Sequence, residues 1–352
     1  MKKLSSFLIS SAILFLSALS AEALPLSPGD RIQVSIPDEK YFANIYEINE
    51  RGNIEVPYIG EISAVGQEPS SVASVLKEVL VEKGYFLPGN LELSVEVILW
   101  APIAVGVTGD VFLPGTAIIN TVAEDNLKTG VIDTAKQITG DFPVKRNLTN
   151  ALRAAGGVRP TADIKKVKVI RGNVTKEFDL SGAFTGAPFR DIPLISGDQV
   201  IVSVSGRFSP EMVRPSRITP PGIKVAVSNL IVPALSNAAA SNSNRTEGMT
   251  FVYGARFSHA VFAMNCVGGT KATNAKRRAV LVRVDPQSGE TIHLEKAIED
   301  LIRNSKSERD NPYLMRSDSV ACYDSTVTNV RDVFRSLSDV FNPLNIIKNI
   351  FF

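Results

Sequence analysis

Histidine is nearly missing from this chain: His259 and His293 are the only two in 352 residues. Cysteine is almost as scarce, with Cys266 and Cys322 alone, and Trp100 is the single tryptophan. No His-Glu-x-x-His, Cys-x-x-Cys, Gly-x-Ser-x-Gly or Walker-type glycine loop occurs. Zinc hydrolysis, dithiol exchange, acyl transfer and nucleotide hydrolysis therefore lose their usual signatures. An excess of one charge is lacking too. The 38 basic and 36 acidic side chains leave +2, which gives no field for holding nucleic acid. With 44 % hydrophobic and 21 % charged residues, a disordered chain, a fibrous repeat and a polytopic membrane protein are excluded. The length asks for two or three domains.

What is present begins with a leader. Lys2 and Lys3 precede an apolar stretch from Leu4 to Leu19, and the small-residue site Ala21-Glu22-Ala23 follows. That is the pattern of a secretory signal peptide over residues 1–23. The rival reading is a retained anchor, but six serines and the Ala-x-Ala site favour cleavage. No cysteine lies near the cut to accept a lipid.

Residues 24–99 read as one α/β unit. Pro28-Gly29-Asp30 is turn chemistry, and Ile32, Val34 and Ile36 alternate as in a half-buried strand. Arg51-Gly52-Asn53 reads as a hairpin turn between two short strands, the second closed by Pro57 and Gly60. Val72, Val75, Leu76, Val79 and Leu80 share a helical face, with Ser70 or Ser71 expected as the cap. Leu91, Leu93, Val95 and Val97 form a period-two strand.

From residue 100 the text changes to short strands and long polar connections, and it recurs. At an offset of 112 residues, Leu148, Ala151, Leu152 and Ala155 fall on Ala260, Ala263, Met264 and Val267. In the same register Gly156-Gly157 falls on Gly268-Gly269 and Arg171 on Arg283. At an offset of 120, Ile103, Val105 and Val107 match Ile223, Val225 and Val227, and Asp198 matches Asp318. A duplication explains this order, with copies at 100–205 and 223–324 joined by a proline-rich linker, 206–222. The second copy looks decayed at its corner, where Gly109 becomes Asn229. Cys266 falls on Ala154 at the helix end, and Cys322 on Val202 of the last strand. If the copies fold alike, the two cysteines can approach and bridge, provided their Cα atoms lie within about 7 Å. Two buried free thiols are the alternative.

Residues 325–352 differ again. Val327, Val330, Phe334, Leu337, Phe341 and Leu344 step by three or four, as an amphipathic helix demands. Fully helical, the 26 residues from Val327 would span about 39 Å at ~1.5 Å each. In a ring of such helices Arg331, Arg335, Ser338, Asp339 and Asn342 would face the lumen. Phe334, Leu337, Phe341, Leu344, Phe351 and Phe352 would face lipid. Pro343 interrupts the pattern. A helix capping the core, or lying on a membrane surface, stays open beside that reading.

Catalytic candidates are few. Glu50 with Glu55, or Asp179 with Asp191, would cleave sugars only at a suitable separation in a cleft. His259 at a helix start and His293 in a strand read as surface residues. Lys165-Lys166 and Arg277-Arg278 read as solvated residues entering strands. Trp100 marks a junction between domains. Residues 116–147 and 235–250 read as loops without an aromatic platform. No catalytic residue, cofactor or metal site is assigned.

The leader, Pro28-Gly29-Asp30, the stretch from Gly52 through Pro57 to Ile59-Gly60 and the helix of 70–83 resemble the export domain of outer-membrane polysaccharide export proteins. Val107 through Gly115, the helix ending in Gly156-Gly157 and Ser196-Gly197-Asp198-Gln199-Val200 are similar to the SLBB β-grasp domain that follows it. Asn311-Pro312 through Asp318 repeats the closing pattern in a degenerate second copy. The resemblance implies an α/β (α+β) multidomain chain: an export domain, two SLBB-like β-grasp domains and an amphipathic C-terminal helix. It implies a non-enzymatic, ring-shaped homo-oligomer at the periplasmic side of the outer membrane, through which a capsule or exopolysaccharide passes. An inner-membrane polysaccharide co-polymerase with tyrosine-kinase activity is the implied partner. The other readings are a monomeric periplasmic protein that binds a carbohydrate or a protein partner, and an enzyme acting on envelope glycans.

Overall fold

A computed structural model describes residues 24–121, 145–230, 248–267, 277–285 and 289–324. The chain divides into two units, residues 1–101 and 102–352. The leader 1–23, the tail 325–352 and the pair Gly268-Gly269 lie outside the described residues. The architecture is mixed α and β in several sheets, the class expected.

In the first unit, β1 (Arg31–Ser35) sits between β2 (Ile45–Glu47) and β5 (Ser94–Leu99), antiparallel to both. A separate hairpin joins β3 (Asn53–Val56) to β4 (Gly60–Ser63). Helix α1 (Pro69–Glu82) buries Val72, Leu76 and Leu80. Each such side chain contributes about 1.5–3 kcal/mol relative to exposure. They join Ile32, Val34, Ile54 and Ile62 in one core. Neither Ser70 nor Ser71 caps α1. Its N-cap is Glu68, which makes no side-chain capping bond, and Pro69 starts the helix where its missing N–H costs nothing. The turn before β3 closes as expected, with Gly52 N donating to Asn49 O at 2.9 Å. The strands it joins are not partners, however: β2 pairs with β1 and β3 with β4.

The second unit contains the same sheet twice. The first has the order β7-β6-β10-β8-β9. Its strands are β6 (Ile103–Gly109), β7 (Gly115–Ile119), β8 (Val167–Arg171), β9 (Val174–Phe178) and β10 (Gln199–Val202). The second has the order β12-β11-β15-β13-β14. It is built from β11 (Gly222–Asn229), β12 (Met249–Val252), β13 (Arg277–Val284), β14 (Thr291–Ala297) and β15 (Ser319–Asp324). In each sheet one central pair is parallel, β6 with β10 and β11 with β15, and the other pairs are antiparallel. Helix α2 (Leu148–Ala154) covers the first core beside the short α3 (Gly182–Thr185); α4 (Phe257–Ala263) and α5 (Ile298–Arg303) cover the second.

The structure corrects the helix register. Leu148 and Phe257 both open their helices, an offset of 109 rather than 112. Leu148 N donates to Ile192 O, and Phe257 N donates to Pro312 O. Thr149 N donates to Asp191 Oδ1 at 3.1 Å, and Ser258 N to Asn311 Oδ1 at 2.8 Å. Hence Asn265 stands where Gly156 does, both left-handed at φ 59° and 77°. Cys266 stands at Gly157, not at Ala154. The 112 offset holds for β8 and β13, so the second copy has three more residues between helix and strand. Cys266 and Cys322 are joined, with Cα atoms 6.3 Å apart, and the bridge ties the helix end to β15.

Other differences follow from packing that a periodicity cannot report. Residues 115–119 are strand β7 rather than loop, and β9 is exposed along most of its length. The segment 206–221 is no open tether. Met212, Val213 and Ile218 are buried, and a 3-10 turn covers Pro210–Met212. Asn229 keeps the corner intact: its Nδ2 donates to Met264 O at 2.9 Å. Leu230 N donates to Cys322 O, as Asp110 N does to Val202 O. The two copies also touch each other. Arg159 Nη2 reaches Asp285 Oδ2 at 3.2 Å, and the Phe112 and Tyr253 rings meet edge-on at 6.0 Å.

Candidate functional site

Of the carboxylates weighed from sequence for acid–base work, Asp179 and Asp191 are held in structural bonds. Asp191 accepts from Thr149 N and Oγ1 and from Arg217, tying α2 to the segment between the sheets. Asp179 accepts from Ser181 N, and the Ser181 hydroxyl, followed by that N–H, holds its carboxyl below the ordinary range. Glu50 and Glu55 are exposed. His259 Nδ1 accepts from Arg256 N at 2.8 Å, so this histidine helps to close the start of α4. His293 is exposed on β14, opposite Val282. Lys165 and Lys166 are exposed; Arg278 pairs with Glu295, and Arg277 lies near Cys266 O. Among the described residues no group of three or more His, Cys, Asp or Glu side chains could hold a metal ion. No described helix is long and apolar enough to cross a membrane.

The turn Ser27-Pro28-Gly29-Asp30 is a staple. Asp30 is fully buried; its Oδ2 accepts from Ser27 N and its Oδ1 from Ala101 N, both at 2.8 Å. The carboxylate thus binds the first turn of the unit to its last residue. A buried charge persists only with such bonds. Trp100, directly before that residue, is half-buried against the unit's core.

A site with unspent contact capacity lies at the tip of the β3–β4 hairpin. Ile54, Val56 and Ile62 face the core and hold the hairpin's base. At the tip Ile59 N donates to Val56 O at 3.1 Å, and this turn leaves Tyr58 at φ 64°. A tyrosine in that region carries about 1–3 kcal/mol of strain. Its ring is 78 % exposed, so core packing does not repay that strain. Beside it lies an open hollow of about 480 Å3 lined by Glu55 through Gly60. Asn53 Nδ2 and Arg51 both bond to Glu61 along the flank. The tip therefore offers one aromatic face with the exposed carboxylates of Glu55 and Glu61 beside it. Those groups suit stacking on a sugar ring and short-lived hydrogen bonds to hydroxyls. They include no activated nucleophile. Sequence reading took Pro57 and Gly60 as the close of a strand and gave Tyr58 no role. The signal was present, since Pro57 and Gly60 bracket it at turn spacing.

No curated protein matches this chain. Residues 19–98, which take in the first unit's helix, the Tyr58 hairpin and its strands up to but not including the last residue of β5, match the family model described as polysaccharide biosynthesis/export protein.

Proposed function

We propose that this chain is a building block of an oligomeric conduit that passes a capsule or exopolysaccharide through the periplasm to the outer membrane, without catalysis. The observation that carries the reading is the family match over residues 19–98, which ties the chain to polysaccharide export. The hairpin tip supports it. A translocated polymer must be touched and released many times, which requires weak, replaceable contacts and not a deep site. Tyr58 with the flanking Glu55 and Glu61 supplies contacts of that strength. The near-neutral charge fits a lumen that does not grip its cargo.

In this reading residues 1–23 direct export and are removed. The two repeated sheets are SLBB-like β-grasp domains that build the wall between protomers, and residues 325–352 seat the assembly in lipid. An inner-membrane co-polymerase delivers the polymer. Electron microscopy of the detergent-extracted protein, with and without residues 325–352, tests this. Rings are expected, and truncation should remove their membrane-facing cap. A monomer with measurable saccharide affinity would overturn the conduit and favour a periplasmic binding protein.

A further inference from the structure

The second repeat carries an aromatic ring and a cation where the first does without them. In the first, Asn147 at the start of α2 forms an isolated antiparallel bridge with Pro193, and Arg171 Nη2 donates to Pro193 O at 2.9 Å. In the second, Arg256 at the start of α4 forms the same bridge with Tyr313, and Arg283 Nη2 donates to Tyr313 O at 2.7 Å. The backbone contacts therefore need neither side chain. Yet the Arg256 guanidinium carbon lies 4.0 Å from the centre of the Tyr313 ring. Phe208 stacks on the same ring, with centroids 6.3 Å apart and planes inclined at 23°. It comes from the segment between the sheets and remains 44 % exposed. The chain is pinned on both sides of it: Ser205 N donates to Thr161 O at 2.6 Å and Ser209 N to Pro160 O at 2.9 Å. Arg256 is pinned too, by Nη1 donating to Asn311 O at 2.9 Å.

We propose that Phe208, Tyr313 and Arg256 form a stacking platform for one pyranose ring of the exported polymer, a second sugar contact besides Tyr58. The choice of a sugar as ligand rests on the export reading; the platform itself rests on the geometry. An aromatic face is negative and attracts the polarised C–H bonds on the flat side of a pyranose. Arg256, held against Tyr313 by the same negative face, brings further N–H donors to the stack, which ring hydroxyls or a uronate carboxylate would accept. Burial does not explain Phe208, because a side chain this open gains only part of the hydrophobic stabilisation. Its exposed sequence neighbours Ser205, Arg207 and Glu211 are polar, which suits hydroxyls better than the apolar centre of a protein interface. Since the bonds of Ser205 and Ser209 already order the loop, binding does not have to. A shallow contact on one ring also releases readily, as a moving chain requires.

Fluorescence of the full chain tests it. In W100F/F208W the indole at position 208 is the only one. The probe is the surface polysaccharide of the producing strain, cut to short oligosaccharides by partial acid hydrolysis. Emission from position 208 should change saturably as they are added. A second measurement uses Phe208→Leu, which keeps apolar bulk and loses the flat face. In a Tyr58→Gly background, which removes the hairpin contact, saturation-transfer NMR should show Phe208→Leu binding the oligosaccharides about three- to tenfold more weakly, the worth of one aromatic contact. Its melting temperature should stay at that of the background. Equal affinity in Phe208→Leu, or emission that ignores the sugar, overturns the platform. So does loss of surface polysaccharide in a Phe208→Leu strain whose protein still binds the oligosaccharides fully, which would assign the ring to a protein partner. Ring-shaped assemblies with a silent position 208 would refute this site and leave the conduit standing. A monomer whose position 208 responds would do the reverse.

Discussion

Arg283 grips the buried carboxylate of Asp318 with two bonds, Nε to Oδ1 at 2.8 Å and Nη2 to Oδ2 at 2.7 Å. Its Nη2 also donates to Tyr313 O, while Met315 N closes on Asp318 Oδ2. Arg171, Asp198, Pro193 and Ile195 reproduce every one of these contacts in the first sheet. The clamp fastens the turn before the last strand to the neighbouring strand. Burial raises the Asp318 carboxyl and Arg283 opposes that rise. Replacing Asp318 by alanine leaves a largely enclosed guanidinium without its partner and should cost about 3–5 kcal/mol in chemical denaturation. Arg171 is 40 % exposed against 26 % for Arg283, so water can replace its partner, and Asp198→Ala should cost distinctly less than Asp318→Ala.

The bridge between Cys266 and Cys322 closes a span of 56 residues. By loop entropy alone that constraint is worth about 4 kcal/mol. Reductant should lower the melting temperature of the unmodified protein. C266A/C322A should melt near the reduced protein and show no response to reductant. Equal melting of all four samples would mean that the bridge does not constrain the unfolded chain.

Much of the fold was legible because its buried strands alternate cleanly. Ile103, Val105 and Val107 announce β6, and Ile223 and Val225 announce β11. The order of helix and strands revealed a repeat whose sheets do share one topology, while the glycine pair was matched out of register, since Asn265 and Cys266 stand where Gly156 and Gly157 do. The helix register was not legible. Alanine-rich helices match at several offsets, and only the bonds of Thr149 to Asp191 and Ser258 to Asn311 choose among them. Strand β9 escaped because Val174 through Glu177 are all exposed and show no apolar period. Tyr58 escaped because strain is a property of backbone angle, which composition does not carry.

Gly109 and its counterpart make a sharp comparison. At φ 89°, a Cβ on Gly109 would overlap the Val202 carbonyl. Gly109→Ala should therefore destabilise the first sheet by about 1–3 kcal/mol, as strain at a left-handed position does. The second copy carries Asn229 at this corner and uses its amide on Met264 O. Asn229→Ala should cost about 1–3 kcal/mol for a different reason, the unsatisfied Met264 carbonyl. Urea denaturation of both variants, scored by midpoint, checks the pair.

Glu39 sets an acid limit on the first unit. The backbone N–H of Phe42, and after it that of Tyr41, hold the Glu39 carboxyl below its ordinary value. A lowered folded value contributes stability that is present above the unfolded value, near 4, and lost as pH falls through the folded one. The Phe42 ring, buried against Tyr85 and Phe86, should report this change. Its NMR signals should titrate below about pH 4 in the parent and stay flat in Glu39→Gln. A Phe42 titration that survives in Glu39→Gln would assign the transition to another carboxylate.

Tyr58 separates stability from function. Its left-handed backbone favours glycine, and its exposed ring contributes little to the core. Tyr58→Gly should relieve strain and raise unfolding stability by roughly 1 kcal/mol. If the ring serves the passing polymer, the same variant should lower polysaccharide at the cell surface in a strain that depends on this protein. Tyr58→Phe keeps the aromatic face and the strain, so it should keep both the parent's stability and most of its export. Gains in stability at functional sites commonly come with such a loss. Full export by Tyr58→Gly, with protein levels equal to the parent, would show that the hairpin tip does not touch the polymer and leave its strain without a purpose in transport.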